Sequence, residues 1–568
     1  MNIELTPQSV FAEYNAGLQF CEGIDLYDTV QVNENFFIGK QWEGVQSNGL
    51  PTPVFNFLKR VVLFSVANIS TDNLKLHAKP LTGDSDTPVW MLETYSDILN
   101  AQFAAIFEKN KLGGCIREYC RNAAVDGDGC MYSWWDETME TGQMSKGGIR
   151  TEVLQNTQIM FGNPNSRDVQ SQPYIIILRR MLVSEAVRYA RRMGASEDDV
   201  DAITPDEKEN GNIEMDQLGG NKVTVMLRLW RSEETGTIHA YECTQAAELR
   251  SEWDMGIKLY PLVWMPWDYV QDCYHGQAML TGLIPNQIFV NKIWAASMLS
   301  FLKTAYPKVI YDKTRIKNWD NRVGAAIGIN GGDVNTVARN MDPATISPQI
   351  AQFIQLAVDM TEQSLGATSV AMGDTRPDNT SAIIALQRAA ATPSEMTKQN
   401  LYKSVEDLYR IYLEFMGGFY GTRMVDMEPP EQLRQVYQFV GQEMPDEISM
   451  PFDFSQLRLH PMTLKLDVGA SSYYSEIASM QTLDNLLMNG HITATQYLER
   501  IPDGYIPARR ALINELKAAQ AQAATEAPTG GGGGPILQDI GKPEIPTGGG
   551  FSDLQRKVLQ SGTTEGMV

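Results

Sequence analysis

At 568 residues the chain is too long for one compact core, so roughly two to four structural units are expected. Its 43% apolar and 9% aromatic content is enough to form sizeable cores. The net charge of −22 argues against a protein that coats nucleic acid, because such proteins present a basic face to phosphate. An acidic protein can still guide DNA without binding it tightly.

The six cysteines form no C-x-x-C pair and follow no framework spacing, which indicates reduced thiols in a cytosolic protein. The N-terminal residues lack the basic-then-apolar pattern of a signal peptide. The apolar run Ile284–Tyr306 is interrupted by polar residues, and Lys292 would lie well inside a bilayer, where a lysine costs roughly 2.5 kcal/mol or more. The sequence therefore predicts a helix buried mostly by protein, as in a ring of identical helices.

The first half of the chain alternates helical and strand patterns and predicts a mixed α+β domain. Apolar residues at helical spacing predict helices at Val54–Ile69, Val89–Val125 (two helices joined around Asn110–Gly113) and Ser184–Met193. Short apolar or aromatic runs predict strands at Cys130–Trp135, Glu152–Met160, Tyr174–Leu178, Val223–Arg231, His239–Cys243 and Leu262–Met265. The acidic segment Ser196–Gly220 is expected on the surface.

The segment from about Gly276 to Gly418 predicts three helices separated by an insert and a loop. The first helix is predicted at Leu283–Thr304. The β-rich insert Ala305–Thr345 follows, with the strand-like run Tyr306–Tyr311 and the glycine-rich stretch Gly324–Gly332.

The second helix of this segment has clear boundary signals. Ser347 is its predicted N-cap, Pro348 occupies its first position and Gly366 follows its end. Ile350, Phe353, Ile354, Ala357, Val358 and Leu365 share one apolar face. The other face is formed mostly by amides with few charges, namely Gln349, Gln352, Asp359, Glu362 and Gln363. Such a face would let a polyanion slide past without tight binding.

After the loop Ala367–Asn379, a long helix is predicted at Thr380–Met416, kinked by Pro393 and stopped by Gly417-Gly418. Further elements are predicted at Gln432–Glu443 (helix), Leu457–Val468 (strands), and Ser471–Asn489, Thr493–Arg500 and Ala508–Ala523 (helices). From Thr525 onward glycine and proline dominate, which indicates a flexible linker.

The sequence contains no arrangement typical of a catalytic, cofactor or metal site. Asp126, Asp128 and Glu137 imitate the ends of a calcium loop, but Met131 stands where glycine is required, which favours a simple turn. The five histidines are scattered and form no H-x-x-x-H pair. Without a Gly-Lys-[Ser/Thr] sequence there is no Walker-type nucleotide site. We therefore expect no enzymatic activity, no cofactor and no metal.

Residues 281–350 are locally basic within an acidic chain. They contain eight bases and four acids, a net charge of +4 against −22 for the whole chain. The bases are Lys292, Lys303, Lys308, Lys313, Arg315, Lys317, Arg322 and Arg339. This bias is either local variation on a solvated surface or the mark of an insert that meets a different partner.

Three local patterns occur in a fixed order along the chain. Phe36–Trp42 followed by Pro53–Asn56 reads G-x-Q-W … P-x-x-N, and Ile116–Trp135 reads as a helix, a Gly-Asp-Gly turn and an aromatic strand. Gly276–Phe415 then supplies the three helices with their insert and loop. This order resembles that of tailed-bacteriophage portal proteins, over about residues 20–520.

The resemblance implies a portal-type α+β architecture. Its parts would be a mixed wing at 1–275 and 380–470, stem helices at 276–304 and 347–366, a small β-rich clip at 305–346, a tunnel loop at 367–379, an α-helical crown at 471–524 and a Gly/Pro-rich tail at 525–568. The tail matches no part of the family pattern, so its role stays open.

The resemblance also implies a function and partners. Portals form a dodecameric ring at one vertex of the virion capsid, assembled in the bacterial host cytoplasm, and double-stranded DNA is packaged and ejected through the ring channel. The implied partners are further copies of the chain, the terminase packaging motor, the head–tail adaptor, the major capsid protein and, as a further candidate, a scaffold. The resemblance implies no membrane partner.

Site residues follow from the same resemblance. The tunnel loop would present Asp374, Thr375, Arg376, Asp378 and Asn379 to DNA. The stem would line the channel with Gln349, Gln352, Asp359, Glu362 and Gln363. The clip would turn Lys308, Lys313, Arg315, Lys317 and Arg322 toward the motor and later the adaptor.

Two rival functions are distinguished by sequence features. A DNA-translocating ATPase would need a nucleotide site, which the sequence lacks. Another non-enzymatic head–tail adaptor or minor virion structural protein is the alternative, but it would not need a pair of long helices bracketing a basic insert.

Overall fold

The computed structural model describes residues 5–47, 49–70, 75–80, 89–142, 145–206, 221–305, 309–320, 322, 326–340, 349–364, 394–427, 448–458, 462–467, 473–501 and four positions between 509 and 516. The chain divides into two compact units, Met1–Glu476 and Ile477–Val568.

The helices of the first unit are placed by recognisable end signals. At the first helix, Thr6 accepts a hydrogen bond from the Ser9 backbone N–H at 3.2 Å, the Ser9 hydroxyl accepts one from the Thr6 N–H, and Pro7 occupies the first position. The helices lie at α1 (Pro7–Gly23), α2 (Leu26–Ile38), α3 (Phe57–Ser70), α4 (Val89–Lys109), α5 (Leu112–Asp126), α6 (Val183–Met193), α7 (Glu197–Ala202), α8 (Ile284–Ala305), α9 (Val334–Val337), α10 (Gln349–Ser364) and α11 (Glu395–Phe419).

All the described strands pair in antiparallel orientation. They lie at β1 (Lys75–Pro80), β2 (Asp128–Asp136), β3 (Gly148–Leu154), β4 (Ile159–Phe161), β5 (Tyr174–Leu182), β6 (Lys222–Arg231), β7 (Ile238–Cys243), β8 (Glu248–Asp254), β9 (Leu262–Pro266), β10 (Val309–Tyr311), β11 (Ala338–Asn340), β12 (Thr422–Met427), β13 (Ile448–Asp453) and β14 (Met462–Asp467). One sheet has the order β3-β2-β9 and a second β4-β5-β6-β7-β8, while β1-β14, β10-β11 and β12-β13 form two-stranded ribbons.

The main hydrophobic core lies between the three-stranded sheet and helices α3, α4, α5 and α11. Tyr119 of α5 and Tyr412 and Phe415 of α11 are almost fully buried in it. Burial of an apolar side chain such as Phe415 contributes about 1.5–3 kcal/mol. The Tyr412 hydroxyl also pairs with Thr151 Oγ1 of β3 at 2.6 Å, so the long helix is fixed to the sheet by both apolar packing and a buried hydrogen bond.

Most predicted elements of the first half are confirmed, including the two helices α4 and α5 and the aromatic strand β2. The single strand predicted at Glu152–Met160 is wrong, because β3 ends at Leu154 and a 3₁₀ turn at Asn156–Gln158 precedes β4. That turn carries the chain from the three-stranded sheet to the five-stranded one. The edge strand β8 was not predicted, since its charged alternation resembles a surface loop.

The predicted helix stop at Gly417-Gly418 is also wrong, because α11 continues through both glycines to Phe419. The two glycines instead allow Arg458 to pack closely against the helix. A Cβ added at Gly417 would lie 2.9 Å from Arg458 Cγ, and one at Gly418 would lie 2.8 Å from Arg458 Nη2. Arg458 crosses the helix at this point and donates a hydrogen bond to the Gly256 carbonyl at 2.6 Å.

In the second unit the predicted helix Thr493–Arg500 is confirmed as α13 (Ala494–Arg500), which begins with a capping box between Thr493 and Gln496. Helix α12 (Tyr473–Met488), at the boundary between the units, agrees with the predicted Ser471–Asn489. The predicted kink at Pro393, the caps at Ser347 and Pro348 and the segments 367–379, 432–443 and 525–568 lie outside the described residues.

Candidate functional site

Helices α8 and α10 pack against each other. One precedes and the other follows the basic insert. The Asn286 amide of α8 donates a hydrogen bond to Thr361 Oγ1 of α10 at 3.0 Å. Thr361 is buried, and its hydroxyl donates in turn to the Ala357 carbonyl at 2.7 Å. The two helices therefore share a polar contact at a buried point of their interface.

The polar residues predicted on α10 lie at different depths. Gln349 and Gln352 are exposed, whereas Asp359 and Glu362 are half-buried. Asp359 accepts a hydrogen bond from Gln355 Nε2 at 3.0 Å, one helical turn away. The side chain of Gln363 lies outside the described part of the chain. An amide-rich exposed surface thus occurs at the start of α10, where the sequence predicted it.

The predicted apolar face of α10 is only partly correct. Ile350, Ile354, Ala357 and Val358 are half-buried, but Phe353 is 55% exposed. Phe353 belongs to a second apolar stripe with Leu356 and Met360, which are 52% and 62% exposed and follow it at helical spacing. Helix α10 therefore carries apolar side chains on the side facing α8 and also on a side that is not covered by the described residues of the chain.

Helix α8 exposes three large apolar side chains toward its end. Met298, Phe301 and Leu302 are 39%, 65% and 46% exposed and lie within one turn. Together with the stripe Phe353, Leu356 and Met360 of α10, these three side chains form what we call the apolar stripes of the helix pair. Large exposed apolar surfaces of this kind mark protein interaction sites.

One face of the first half of α8 is buried by the same chain, through a buried amide network. Asn291 Nδ2 donates to Gln41 Oε1 at 2.7 Å, and Gln287 Nε2 donates to Asn291 Oδ1 at 2.9 Å and to the Phe55 carbonyl at 2.6 Å. Gln287 and Asn291 are 0% and 3% exposed. Phe55 also packs edge-on against Trp294, with ring centroids 4.7 Å apart. Burial of these polar residues needs no neighbouring copy of the chain.

The G-x-Q-W and P-x-x-N patterns build the loop that carries this network. Trp42 Nε1 donates to the Pro53 carbonyl at 2.8 Å and closes the loop. The Asn56 amide donates to the carbonyls of Phe36 and Phe37 at 3.1 and 2.9 Å, at the end of α2. The sequence patterns therefore specify a clamp of residues 39–56 that holds α8, a role that spacing alone did not reveal.

A second anchor holds the segment just before α8 against the turn between α5 and β2. Asp128 is fully buried; its Oδ2 lies 2.7 Å from His275 Nδ1 and its Oδ1 accepts from the Gly276 N–H at 2.7 Å. Asn156 Nδ2 donates to the same carboxylate at 3.4 Å. Gly127 adopts φ +106°, and a Cβ there would lie 2.7 Å from the Gly276 carbonyl oxygen, so only glycine fits.

We call the contacts of Asp128 with His275 and Gly276 the joint. Asn33 of α2 extends this joint. Its amide donates to the Val125 carbonyl and to Thr281 Oγ1, both at 2.8 Å. The Leu280 N–H also bonds the Ala124 carbonyl at 3.3 Å. Residues from α2, the end of α5 and the segment leading into α8 thus meet at one point. The predicted calcium-like Asp-Gly-Asp-Gly sequence is in fact this joint.

Charge at the joint depends on the Asp128–His275 pair. Burial lowers the pKa of His275, but the adjacent Asp128 carboxylate outweighs that effect and raises the pKa to about 9. Nearby, burial raises the pKa of Asp126 to about 7, against the opposing effect of Arg121, whose Nη1 lies 3.7 Å away. The joint therefore holds a charged imidazole beside a carboxylate, next to a second acid that titrates near neutrality.

Cys21, His275 and Asp128 lie in the order of a nucleophile, a base and an orienting acid. Cys21 Sγ is 3.8 Å from His275 Nε2. However, Cys21 is only 1% exposed and the other two side chains are equally buried, so no substrate can reach the thiol in this arrangement. We interpret the three residues as part of the structural joint.

The predicted basic insert contains a small folded unit. Ribbon β10-β11 and a turn enclose the buried residues Ile316 and Val337, and Tyr311 stacks on Trp319 with centroids 5.2 Å apart. Four of the predicted bases, Lys313, Arg315, Lys317 and Arg322, are exposed, and Lys308 lies outside the described residues.

Two of those bases are paired with acids. Arg322 Nη2 lies 2.7 Å from Asp320 Oδ2, and Arg315 Nε lies 3.6 Å from Asp312 Oδ2. Hydrogen bonds from Thr314 and Arg322, respectively, lower the pKa of Asp312 and Asp320, so both acids stay ionised. Among the described residues, Lys313 and Lys317 have no acid within ion-pair distance. They are the bases most available to a partner.

The predicted tunnel-loop residues Asp374, Thr375, Arg376, Asp378 and Asn379 lie outside the described residues, so their placement stays a prediction. Across the described part of the chain, no three His, Cys, Asp or Glu side chains are grouped closely enough to hold a metal ion. Of the helices in that part, none is both long and apolar enough to span a bilayer.

One known protein family matches most of the chain. The family model "Phage P22-like portal protein" matches residues 25–425, well over half of the chain. The match includes the clamp, the joint, both helices of the pair and the basic insert. No individual curated protein matches the chain. Portal proteins of this family are structural head–tail connectors at the virion capsid vertex, generally without enzymatic activity. The chain belongs to the phage P22-like portal protein family.

Proposed function

We propose that the chain forms a closed ring, expected to be a dodecamer, at one capsid vertex, and that double-stranded DNA is packaged and ejected through its channel. Family membership supports a ring oligomer with capsid, terminase and DNA as general partners. The specific assignments proposed are those of the family pattern: wing at 1–275 and 380–470, stem at 276–304 and 347–366, clip at 305–346, tunnel loop at 367–379 and crown at 471–524.

The observation that carries this proposal is the exposure of the apolar stripes on α8 and α10. Phe301, Phe353 and Met360 are each more than half exposed in the single chain. Burying apolar surface contributes about 25 cal/mol per Å², so six such side chains favour association strongly. In a ring, each helix pair would cover the stripes of the next.

The amide-rich start of α10 suits the channel wall. Exposed Gln349 and Gln352 offer hydrogen bonds to phosphate but no fixed positive charge. DNA would therefore meet many weak contacts and few strong ones, which permits sliding in both directions. The absence of a nucleotide-binding sequence fits this passive role, because the terminase motor would supply the energy.

The basic insert suits a docking surface for the motor and then the adaptor. Lys313 and Lys317 are exposed and have no acid within ion-pair distance among the described residues, while the buried pair Ile316 and Val337 holds the turn in shape. Exposed charges of this kind steer encounter with an acidic partner and set its orientation more than they set affinity. Two partners could then use the same surface in succession.

The test is a substitution in the apolar stripes with a matched control. Phe353→Glu introduces a charge where a neighbouring copy would cover the Phe353 side chain. The control Val32→Glu changes an apolar side chain of α2 that is 45% exposed. We expect F353E to move the assembly midpoint at least about tenfold higher in concentration, equivalent to about 1.4 kcal/mol. V32E should assemble normally. Equal assembly of both variants would remove the helix pair from the ring interface.

A further inference from the structure

Arg423 of β12 is a buried cation that no described carboxylate compensates. It is 8% exposed. Its Nε donates to the Tyr420 carbonyl at 3.2 Å, and its Nη2 donates to the carbonyls of Gly147 and Lys146 at 2.9 and 3.5 Å. Among the described residues, Nη1 has no hydrogen-bond partner and no acid lies within ion-pair distance of the guanidinium. The Tyr420 ring, whose centroid is 3.9 Å away, attracts the cation but does not cancel a full charge.

A second buried arginine shows what this position lacks. Arg228, 7% exposed, donates from Nε and Nη2 to the two carboxylate oxygens of Glu13 at 2.6 and 2.9 Å. A buried charge without such a partner is costly, because it has lost water and gained no opposite charge. Burial lowers the pKa of Arg423, since desolvation disfavours the charged form. An anion beside Arg423 would therefore stabilise it.

A cavity of about 290 Å³ adjoins Arg423, between α4, the loop that joins β2 to β3, and β12. Lys109 and Gln102 of α4 also line it, and neither the ammonium nor the amide has a partner among the described residues. The described lining includes one acid, Asp426, whose carboxylate accepts a hydrogen bond from Ser449. Two bases and one acid give the cavity a net charge of +1.

The other polar side chains of the lining are engaged within the chain. The Asn110 amide donates to the carbonyls of Ile106 and Ile149 at 3.1 and 3.0 Å. The Thr141 hydroxyl donates to the Ser145 carbonyl at 2.5 Å. The apolar part of the lining consists of Ala101, Ala105, Ile106, Met139 and Val425. A ligand that fits must place an anionic group on the free donors and an aliphatic part on this apolar lining.

We infer that the cavity binds a carboxylate carried on a short aliphatic stem, with Arg423 Nη1, Gln102 Nε2 and Lys109 Nζ as the donors. The net charge of +1 matches a monoanion, and hydrogen bonds between ionised partners are about twice as strong as neutral ones. A phosphate dianion would exceed the charge of the cavity and leave the apolar lining uncovered. A free carboxylic acid and a glutamate or aspartate side chain of another chain both carry this group. All the lining residues belong to one chain, so the inference does not depend on the proposed ring.

Ligand-observed saturation-transfer NMR on the purified full-length chain tests the inference, with propionate as the probe. We expect saturation to pass from the protein to propionate and the signal to weaken as chloride is added. The double variant Lys109→Gln with Gln102→Leu removes two of the three donors without changing Arg423. Its dissociation constant for propionate should be at least about tenfold higher than that of the wild type. The control Lys111→Gln removes an exposed lysine outside the lining and should change the constant by less than about twofold.

The variant Arg423→Met tests the buried cation itself. It should abolish propionate binding, because the charge at the end of the cavity is lost. The variant also loses three hydrogen bonds to backbone carbonyls, so its unfolding midpoint is measured alongside. If R423M does not fold, the double variant decides the question.

Comparison of monomer and ring fractions distinguishes the two sources of the carboxylate. Propionate bound by both fractions would identify a free carboxylic acid as the ligand. Propionate bound by the monomer but not by the ring would show that a neighbouring copy supplies the carboxylate. A chain that forms no ring would refute the proposed function, and the monomer alone would then decide whether the cavity binds a carboxylate.

Two results would overturn the inference. The first is the absence of saturation transfer to propionate in every fraction, which would mean that the cavity admits no carboxylate. The second is transfer that both the double variant and R423M leave unchanged, which would mean that propionate binds elsewhere on the chain.

Discussion

Asn291 of α8 donates a hydrogen bond to Gln41 across 250 residues of sequence, at 2.7 Å and in a fully buried environment. This contact explains two features together: the polar interruptions of an otherwise apolar helix and the glutamine of the G-x-Q-W pattern. A buried amide needs a partner, and each of these residues supplies one for the other. The clamp and α8 are therefore expected to move as one body.

The first prediction tests that contact. Gln41→Ala should lower the free energy of unfolding by about 1–3 kcal/mol, because Asn291 keeps a buried donor without a partner. Gln46→Ala, an exposed change in the same loop, should lie within about 0.5 kcal/mol of the wild type. Chemical denaturation of both variants measures the difference. Equal stability would show that the amide network contributes little.

The second prediction concerns pH. The pKa of His275 rises from its ordinary 6.5 to about 9, so the stabilisation from its charged form is complete below about pH 6.5 and is lost as pH rises through 9. Asp126 acts in the same direction but at lower pH, because its raised pKa of about 7 makes stability fall between about pH 4 and pH 7. The free energy of unfolding should therefore fall between pH 6.5 and pH 9.5.

The variant Asp128→Ala checks the origin of that pH dependence. It leaves His275 buried without its partner and should cost about 3–5 kcal/mol at pH 6.5. The fall in stability toward pH 9.5 should also become shallower than in the wild type. A slope unchanged by D128A would show that other groups cause the pH dependence.

A third prediction separates two kinds of helical glycine. Gly417→Ala should destabilise the chain by about 1–2 kcal/mol, since its Cβ would press on Arg458. Gly114→Ala, in α5, meets no atom within 4 Å and should stabilise it by about 0.5–1 kcal/mol. Thermal unfolding of the two variants should thus shift in opposite directions, and shifts of the same sign would contradict the packing argument.

The fourth prediction concerns the basic insert. Lys313→Glu combined with Lys317→Glu should leave ring formation unchanged but weaken binding of the packaging motor, measured by co-sedimentation with purified terminase at low and physiological salt. Lys258→Glu, an exposed reversal outside the insert, is the control. The defect should diminish at high salt, because screening weakens charge contacts in the wild type too. Normal terminase binding by the double variant would exclude this surface from docking.

Sequence reasoning succeeded where local periodicity determines structure. The limits of α8, predicted at Leu283–Thr304 and observed at Ile284–Ala305, follow from a long apolar run with a proline in its first turn. The prediction failed where a contact with a residue distant in sequence determines the local structure. Gly417 is an example, because its role depends on Arg458, more than 40 residues later. The Asp128–His275 joint was missed for the same reason, because nothing local to either residue indicates the other.

The excess of bases in the insert was predicted correctly, but the sequence did not show which of these bases are paired with acids. Counting bases could not reveal that Arg315 and Arg322 are paired with Asp312 and Asp320, whereas Lys313 and Lys317 have no such partner within the described residues. Likewise, helical spacing showed one apolar face on α10, and only tertiary packing distinguishes the half-buried Ile354 from the exposed Phe353. Exposure depends on neighbouring elements, which spacing does not encode.

The mass of the purified full-length chain in solution, at micromolar concentration and near physiological salt, tests the central claim most directly. Native mass spectrometry or light scattering should show a closed assembly of many copies, with twelve expected from the family, and negative-stain images should show rings with a central channel. A chain that stays monomeric, or stops at a dimer, would contradict the channel and with it the proposed function.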